Sequence, residues 1–61
     1  MSTAKEYAGR VYRDGRWYMI EIPEIDGLTQ ADSKDEVEHM AKDLIAVTLD
    51  CDISEVAVSL T

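Results

Sequence analysis

A chain of 61 residues has room for one domain, and a chain this short hides only about 60% of its unfolded surface when it folds alone, so a marginally stable monomer is expected. Its 13 acidic against 6 basic side chains give a net charge of −7, which argues against direct nucleic-acid binding, because phosphate affinity rests on cations that displace counterions. One cysteine and one histidine supply neither an internal disulfide nor a zinc set. With no apolar run of spanning length and no leader-like start, a cytoplasmic setting without a membrane is the expectation.

The charge is unevenly placed. Lys5, Arg10, Arg13 and Arg16 stand near the start, and beyond them only Lys34 and Lys42 are cationic, so the larger part of the chain suits a basic partner. Residues 1–5 precede any periodic pattern and are expected to be disordered.

From Glu6 to Ile22 the residues read as two strands rich in aromatic and branched side chains. Asp14-Gly15 predicts the join, as a two-residue type I′ turn whose central residues accept positive φ. That register sets Arg13 opposite Arg16, Tyr12 opposite Trp17, Val11 opposite Tyr18, Arg10 opposite Met19 and Gly9 opposite Ile20. One face then carries Tyr7, Gly9, Val11, Tyr18, Ile20 and Ile22, and the other Ala8, Arg10, Tyr12, Trp17, Met19 and Glu21, since side chains alternate along a strand. The first set is assigned to the core: its second-strand members are nearly all apolar, and Gly9 leaves room for a helix to approach.

Pro23 ends the second strand because it cannot donate to the ladder, and Glu24-Ile25-Asp26-Gly27 is expected to turn at Gly27. A short third strand is predicted over Leu28, Thr29 and Gln30. Ser33 followed by Glu36 has the spacing of a capping box, with Asp35 and Glu36 suited to the positive end of a helix. Val37, Met40, Ala41, Leu44 and Thr48 then recur at helical spacing, flanked by Ile45 and Val47, and the helix is expected to end near Leu49 or Asp50. After Cys51 and Asp52, Val56, Val58 and Leu60 alternate with Ala57, Ser59 and Thr61 as a last strand. The whole predicts an α+β fold, a small β-β-β-α-β domain with one helix packed on one face of a three- or four-stranded, mainly antiparallel sheet.

Catalytic constellations are hard to find in this pattern. Glu21, Asp26, Asp35 and Asp43 are the acids to consider for a metal-dependent nuclease or hydrolase, but they lack a diagnostic ligand spacing and read as solvated surface. His39 lies off the apolar stripe with no serine or cysteine placed to act with it. Cys51 follows a helix C-terminus, whose negative end disfavours a thiolate, and reads as a small space-filler. Gly9, Gly15 and Gly27 are too widely spaced to cradle a phosphate. The expectation is a protein without catalytic residues, metal or cofactor.

Arg10, Tyr12, Trp17 and Met19 are more informative. The strand alternation puts them together on the face away from the helix, where a monomer would leave them wet, and their composition is that of an interface hot spot. The contact could be with a different protein or with another copy in a homodimer or higher homo-oligomer, and exposed sheet edges offer a second route to pairing. The opposite assignment, Trp17 beneath a loop or the two faces exchanged, is the competing reading.

The segment from Asp14 to Glu38, DGRWYMIEIPEIDGLTQADSKDEVE, resembles the N-terminal domain of the HicB antitoxin family. The matching positions are Gly15, Trp17 and Tyr18, Pro23, Gly27, Thr29 and Gln30, then Ser33 with Glu36, and the likeness extends over Glu6 to Leu60. It implies a partly degraded ribonuclease H-like domain over residues 1–61, without nuclease activity, that masks a small basic mRNA-cleaving toxin. Ala31 stands where the family usually has glycine, and Ser33 where it usually has threonine, a change that keeps the capping chemistry. HicB antitoxins usually continue into a DNA-binding segment, which residues 1–61 are not expected to contain, so operator binding is not carried over. The alternative expectation is a solitary homo-oligomeric adaptor of the same fold without a toxin partner.

Overall fold

The computed structural model describes residues 5–61. Strands β1 (Lys5–Asp14), β2 (Trp17–Ile22) and β3 (Gly27–Ala31), helix α1 (Val37–Leu49) and strand β4 (Val56–Leu60) follow one another in the predicted order. The strands form one four-stranded sheet ordered β3-β2-β1-β4, antiparallel at β1–β2 and β2–β3 and parallel at β1–β4. The fold is thus the α+β arrangement read from the pattern, with the helix on one face of the sheet. Of the segment expected to be disordered, residues 1–4 lie outside the described residues, whereas Lys5 already pairs with Val56 at the start of β1.

The hairpin differs from the predicted register. Asp14 pairs with Trp17, Tyr12 with Met19, Val11 with Ile20 and Arg10 with Glu21, so the two turn residues are Gly15 and Arg16. Gly15 has φ +64°, and Arg16 is not among the positive-φ residues. A type I′ turn needs positive φ at both central positions, whereas a turn with glycine first and an ordinary residue second matches type II′. Each partner moves by two residues, a full strand period, so every side chain keeps its predicted face.

Tyr7, Gly9, Val11, Ile20 and Ile22 accordingly line the helix side, with Ile20 and Ile22 fully buried. They meet Val37, Ala41 and Ile45 of α1, Ala31 of β3 and Val56 of β4 in a single cluster. Each fully buried isoleucine contributes roughly 1.5–3 kcal/mol relative to exposure. The core stripe of α1 is rotated from the predicted one. Ile45, expected on the flank, is at its centre, while Thr48 in the last turn and Val47 are exposed.

Both ends of the helix find their hydrogen bonds in the backbone. Ser33 occupies the cap position with extended dihedrals, but its hydroxyl makes no capping bond. The chain enters through a 3-10 turn, Lys34–Glu36, in which the Ser33 carbonyl accepts the Glu36 N–H at 3.2 Å. That N–H is the one a capping-box hydroxyl would take, so the predicted box does not form. At the other end Asp50 adopts left-handed φ 55°, its N–H reaching Val47 and that of Cys51 reaching Ala46. This is a Schellman motif with aspartate where glycine is commonest.

Two loops are also reset. The chain turns at Asp26, φ 52°, rather than at Gly27, which already belongs to β3. What Gly27 supplies is clearance, for a Cβ there would stand 2.9 Å from Leu44 Cδ2. After the helix, the Asp52 carboxylate accepts the N–H and the hydroxyl of Ser54, each at 3.0 Å, and caps the 3-10 turn Ile53–Glu55. These bonds hold its carboxyl below the ordinary aspartate range.

Candidate protein-binding face

With α1 on one side, the alternation of β1 and β2 leaves Arg10, Tyr12, Trp17, Met19 and Glu21 on the other, where no element covers them among the described residues. The structure therefore brings together all four residues singled out in the sequence. Tyr12 and Met19 are direct cross-strand partners, and Trp17, paired with Asp14, lies two residues further toward the turn. The pairing of β2 with β3 adds Leu28 opposite Glu21 and Gln30 opposite Met19. Leu28 is 56% exposed and Tyr12 39%, whereas Trp17 and Met19 are half-buried by their neighbours. Ala8 and Ala57 extend the apolar surface toward β4 with small side chains.

The charges on this face are partly neutralised. Arg10 Nη2 donates to Glu21 Oε1 at 2.8 Å, and the same guanidinium lies 5.5 Å from the Tyr12 ring centre. Arg16 lies 5.3 Å from the Trp17 ring centre. Exposed ion pairs of this kind contribute about 0–1 kcal/mol to stability, so the pair does more to shape the surface than to hold the fold. On the helix side of the hairpin, Arg13 lies 4.6 Å from the ring centre of Tyr18 and donates to the Gly15 carbonyl at 3.1 Å. Three arginine–aromatic contacts thus follow the hairpin toward its tip.

Leu28 is the member of this face that the sequence reading did not assign. Its signal was available: once Thr29 is placed toward the helix, alternation sends Leu28 and Gln30 to the other side.

The acids considered for metal chemistry are dispersed. Glu21 is engaged by Arg10 on the open face, Asp26 sits in the left-handed turn before β3, Asp35 in the 3-10 turn before α1, and Asp43 on the exposed side of α1. Among the described residues no three of the His, Cys, Asp and Glu side chains are grouped to hold a metal ion. His39 is exposed on α1, and Cys51 is half-buried against the core cluster. A depression of about 300 Å3 opens on the helix side between Val11, Tyr18, Val37 and Leu60, with a mainly apolar lining. No helix among the described residues is long and apolar enough to cross a membrane.

Compared with protein-family models, with curated proteins and with solved structures, the chain matches none.

Proposed function

We propose that this chain is a non-catalytic protein-binding domain of the HicB antitoxin kind, whose uncovered sheet face closes over a small basic mRNA-cleaving toxin. The observation that carries the reading is the grouping of Tyr12, Trp17, Met19 and Leu28 on a face that no part of the described chain covers. Aromatic and methionine side chains at the centre of a patch, with a paired arginine at its side, are the composition of a binding hot spot. The net charge of −7 favours encounter with a basic protein and disfavours one with RNA or DNA. The β-β-β-α-β order that the HicB resemblance implies is the order the chain adopts. The dispersed acids, with Glu21 tied to Arg10, support a role without catalysis.

The test is co-expression with the product of the neighbouring open reading frame. A small basic ribonuclease that forms a stoichiometric complex and stops cleaving RNA in it is the expected result. Trp17→Ala with Met19→Ala should weaken that complex by at least about tenfold, the effect of losing one strong hot spot. Cleavage that continues unabated in the presence of excess protein would sink the antitoxin reading. Complex formation untouched by the double variant would move the contact off this face.

A second reading, a homo-oligomeric adaptor of the same fold, draws on the Arg10–Glu21 pair, which removes charge from the face and lets a second acidic copy approach it. In that case the Trp17 and Met19 variants change the sedimentation of the protein by itself.

A further inference from the structure

We infer that the outer edge of β4, which no strand among the described residues pairs with, is a self-pairing surface, through which two copies join antiparallel about a two-fold axis at Val58 into one continuous eight-stranded sheet. The inference stands on the backbone and charge pattern of the edges and holds whichever molecule covers the open face.

The backbone groups of β4 are divided cleanly. The Thr61 N–H donates to the Gly9 carbonyl at 3.0 Å, and the Thr61 carbonyl accepts the Val11 N–H at 2.9 Å. By strand alternation Ala57 and Ser59 also aim their backbone groups at β1, and Val56, Val58 and Leu60 aim theirs outward. The Val56 N–H is used by the Ile53 carbonyl. The Val56 carbonyl and both groups of Val58 and of Leu60 then form a row along the outer edge of the sheet. An antiparallel copy centred on Val58 meets that row in register: Val58 exchanges two bonds with its counterpart, and each Leu60 N–H reaches the Val56 carbonyl of the other copy. The half-buried side chains of Val58 and Leu60 gain apolar neighbours in the same step.

Charge limits which edge a second copy can use. A second copy carries the same −7, so it can approach closely only where the chain is uncharged. Both outer strands satisfy this, with no charged residue from Gly27 to Ala31 or from Val56 to Leu60. The two differ at their ends. Pairing β3 antiparallel with itself over its full length sets Asp26 against Asp32 of the copy, twice, and like charges directly opposite are destabilising. Pairing β4 with itself sets the Glu55 side chain against the uncharged side chain of Thr61. Neither strand contains proline, and β4 has no charge or bulge of the kind that blunts a sheet edge. The two-fold axis stands perpendicular to the sheet. It therefore leaves both copies of Tyr12, Trp17 and Met19 on one side of the assembly and both helices on the other.

Ala57 and Ser59 face each other across this axis, and both lie on the open face, outside the core cluster. Ala57 pairs with Glu6 of its own chain, so Ala57→Lys sets its charge beside an opposite one. The experiment compares Ala57→Lys/Ser59→Lys with Ala57→Lys/Ser59→Glu by sedimentation equilibrium of the full chain, with circular dichroism confirming that both fold. The first places like charges opposite, the second opposite charges. The first should dissociate at least about tenfold more readily than the second, and Trp17→Ala should dimerise like the parent. As a measurement without substitution, the Val58 and Leu60 amides should become protected from hydrogen exchange as protein concentration rises. A parent chain that stays monomeric up to about 1 mM overturns the inference. So does a dimer that ignores the charge at position 59, or one that is lost in Trp17→Ala, which would put the second copy on the open face instead.

Discussion

Neighbouring residues of β2 meet opposite surroundings: Ile20 is fully buried, while Met19 and Glu21 on either side of it face the uncovered side of the sheet. The helix-side face is apolar because α1 supplies Val37, Ala41 and Ile45 to meet it. The open face has no such partner among the described residues, yet it holds a tryptophan, a tyrosine, a methionine and a leucine. One helix is enough to give this chain a fold, and under the function proposed above the second apolar set is the part left for contact with another molecule. The covered face should therefore govern stability and the open face binding.

The largest break in that comparison comes from the covered side. Ile20→Ala leaves a cavity at the centre of the core and should cost about 2–5 kcal/mol, enough to unfold much of a small domain, read by urea denaturation. Gly9→Ala overpacks the same face, because its Cβ would stand 2.7 Å from Ile22 Cδ1 and from Leu60 Cδ2. A loss of about 1–3 kcal/mol is expected in the same assay. Trp17→Ala sharpens the contrast: its side chain is only half-buried, and a change within about 1 kcal/mol in denaturation is expected despite its size. A loss as large as that of Ile20→Ala would show that the open face also holds the fold.

Smaller effects come from the loops. Asp50 occupies a left-handed position at the negative end of α1, with no basic residue in the last turn. Asp50→Gly relieves both problems, against a gain in unfolded-chain entropy, and should stabilise the domain by roughly 0.3–1 kcal/mol, visible as a raised Tm. Asp52→Ala removes the cap of the turn before β4. The native carboxyl is held below its unfolded value, so its contribution is present above the unfolded pKa and is lost as pH falls through the folded one. The variant should lie slightly below the parent in stability at neutral pH and converge with it in acid below about pH 4.

Much of this arrangement was legible in the residues, for reasons that differ from element to element. The faces of β1 and β2 survived an error in the turn because a shift of two residues preserves alternation, whereas a shift of one would have exchanged core and surface. The turn itself was not legible: Asp14-Gly15 and Gly15-Arg16 both put glycine at a positive-φ position, and the second satisfies it at Gly15 alone. Asp26 took the left-handed turn and Gly27 did not, because Gly27 answers to Leu44, a neighbour distant in sequence. The Ser33 box failed because the carbonyl of the same residue had already taken the Glu36 N–H. Alternation alone puts Arg10, Tyr12, Trp17 and Met19 on one face, whereas Leu28 joins them only once the sides of β3 are assigned.

The parallel seam between β1 and β4 has a kinetic consequence. Contacts within the first hairpin are local, but the Thr61–Gly9 contact joins residues 52 apart in sequence, and every other pair in that seam spans a comparable loop. Loop-closure entropy must be met before such a pairing is rewarded, so the hairpin should form early and β4 should dock late. Shortening Val56 to alanine, in the core at the start of β4, should then speed unfolding far more than it slows refolding in stopped-flow measurements.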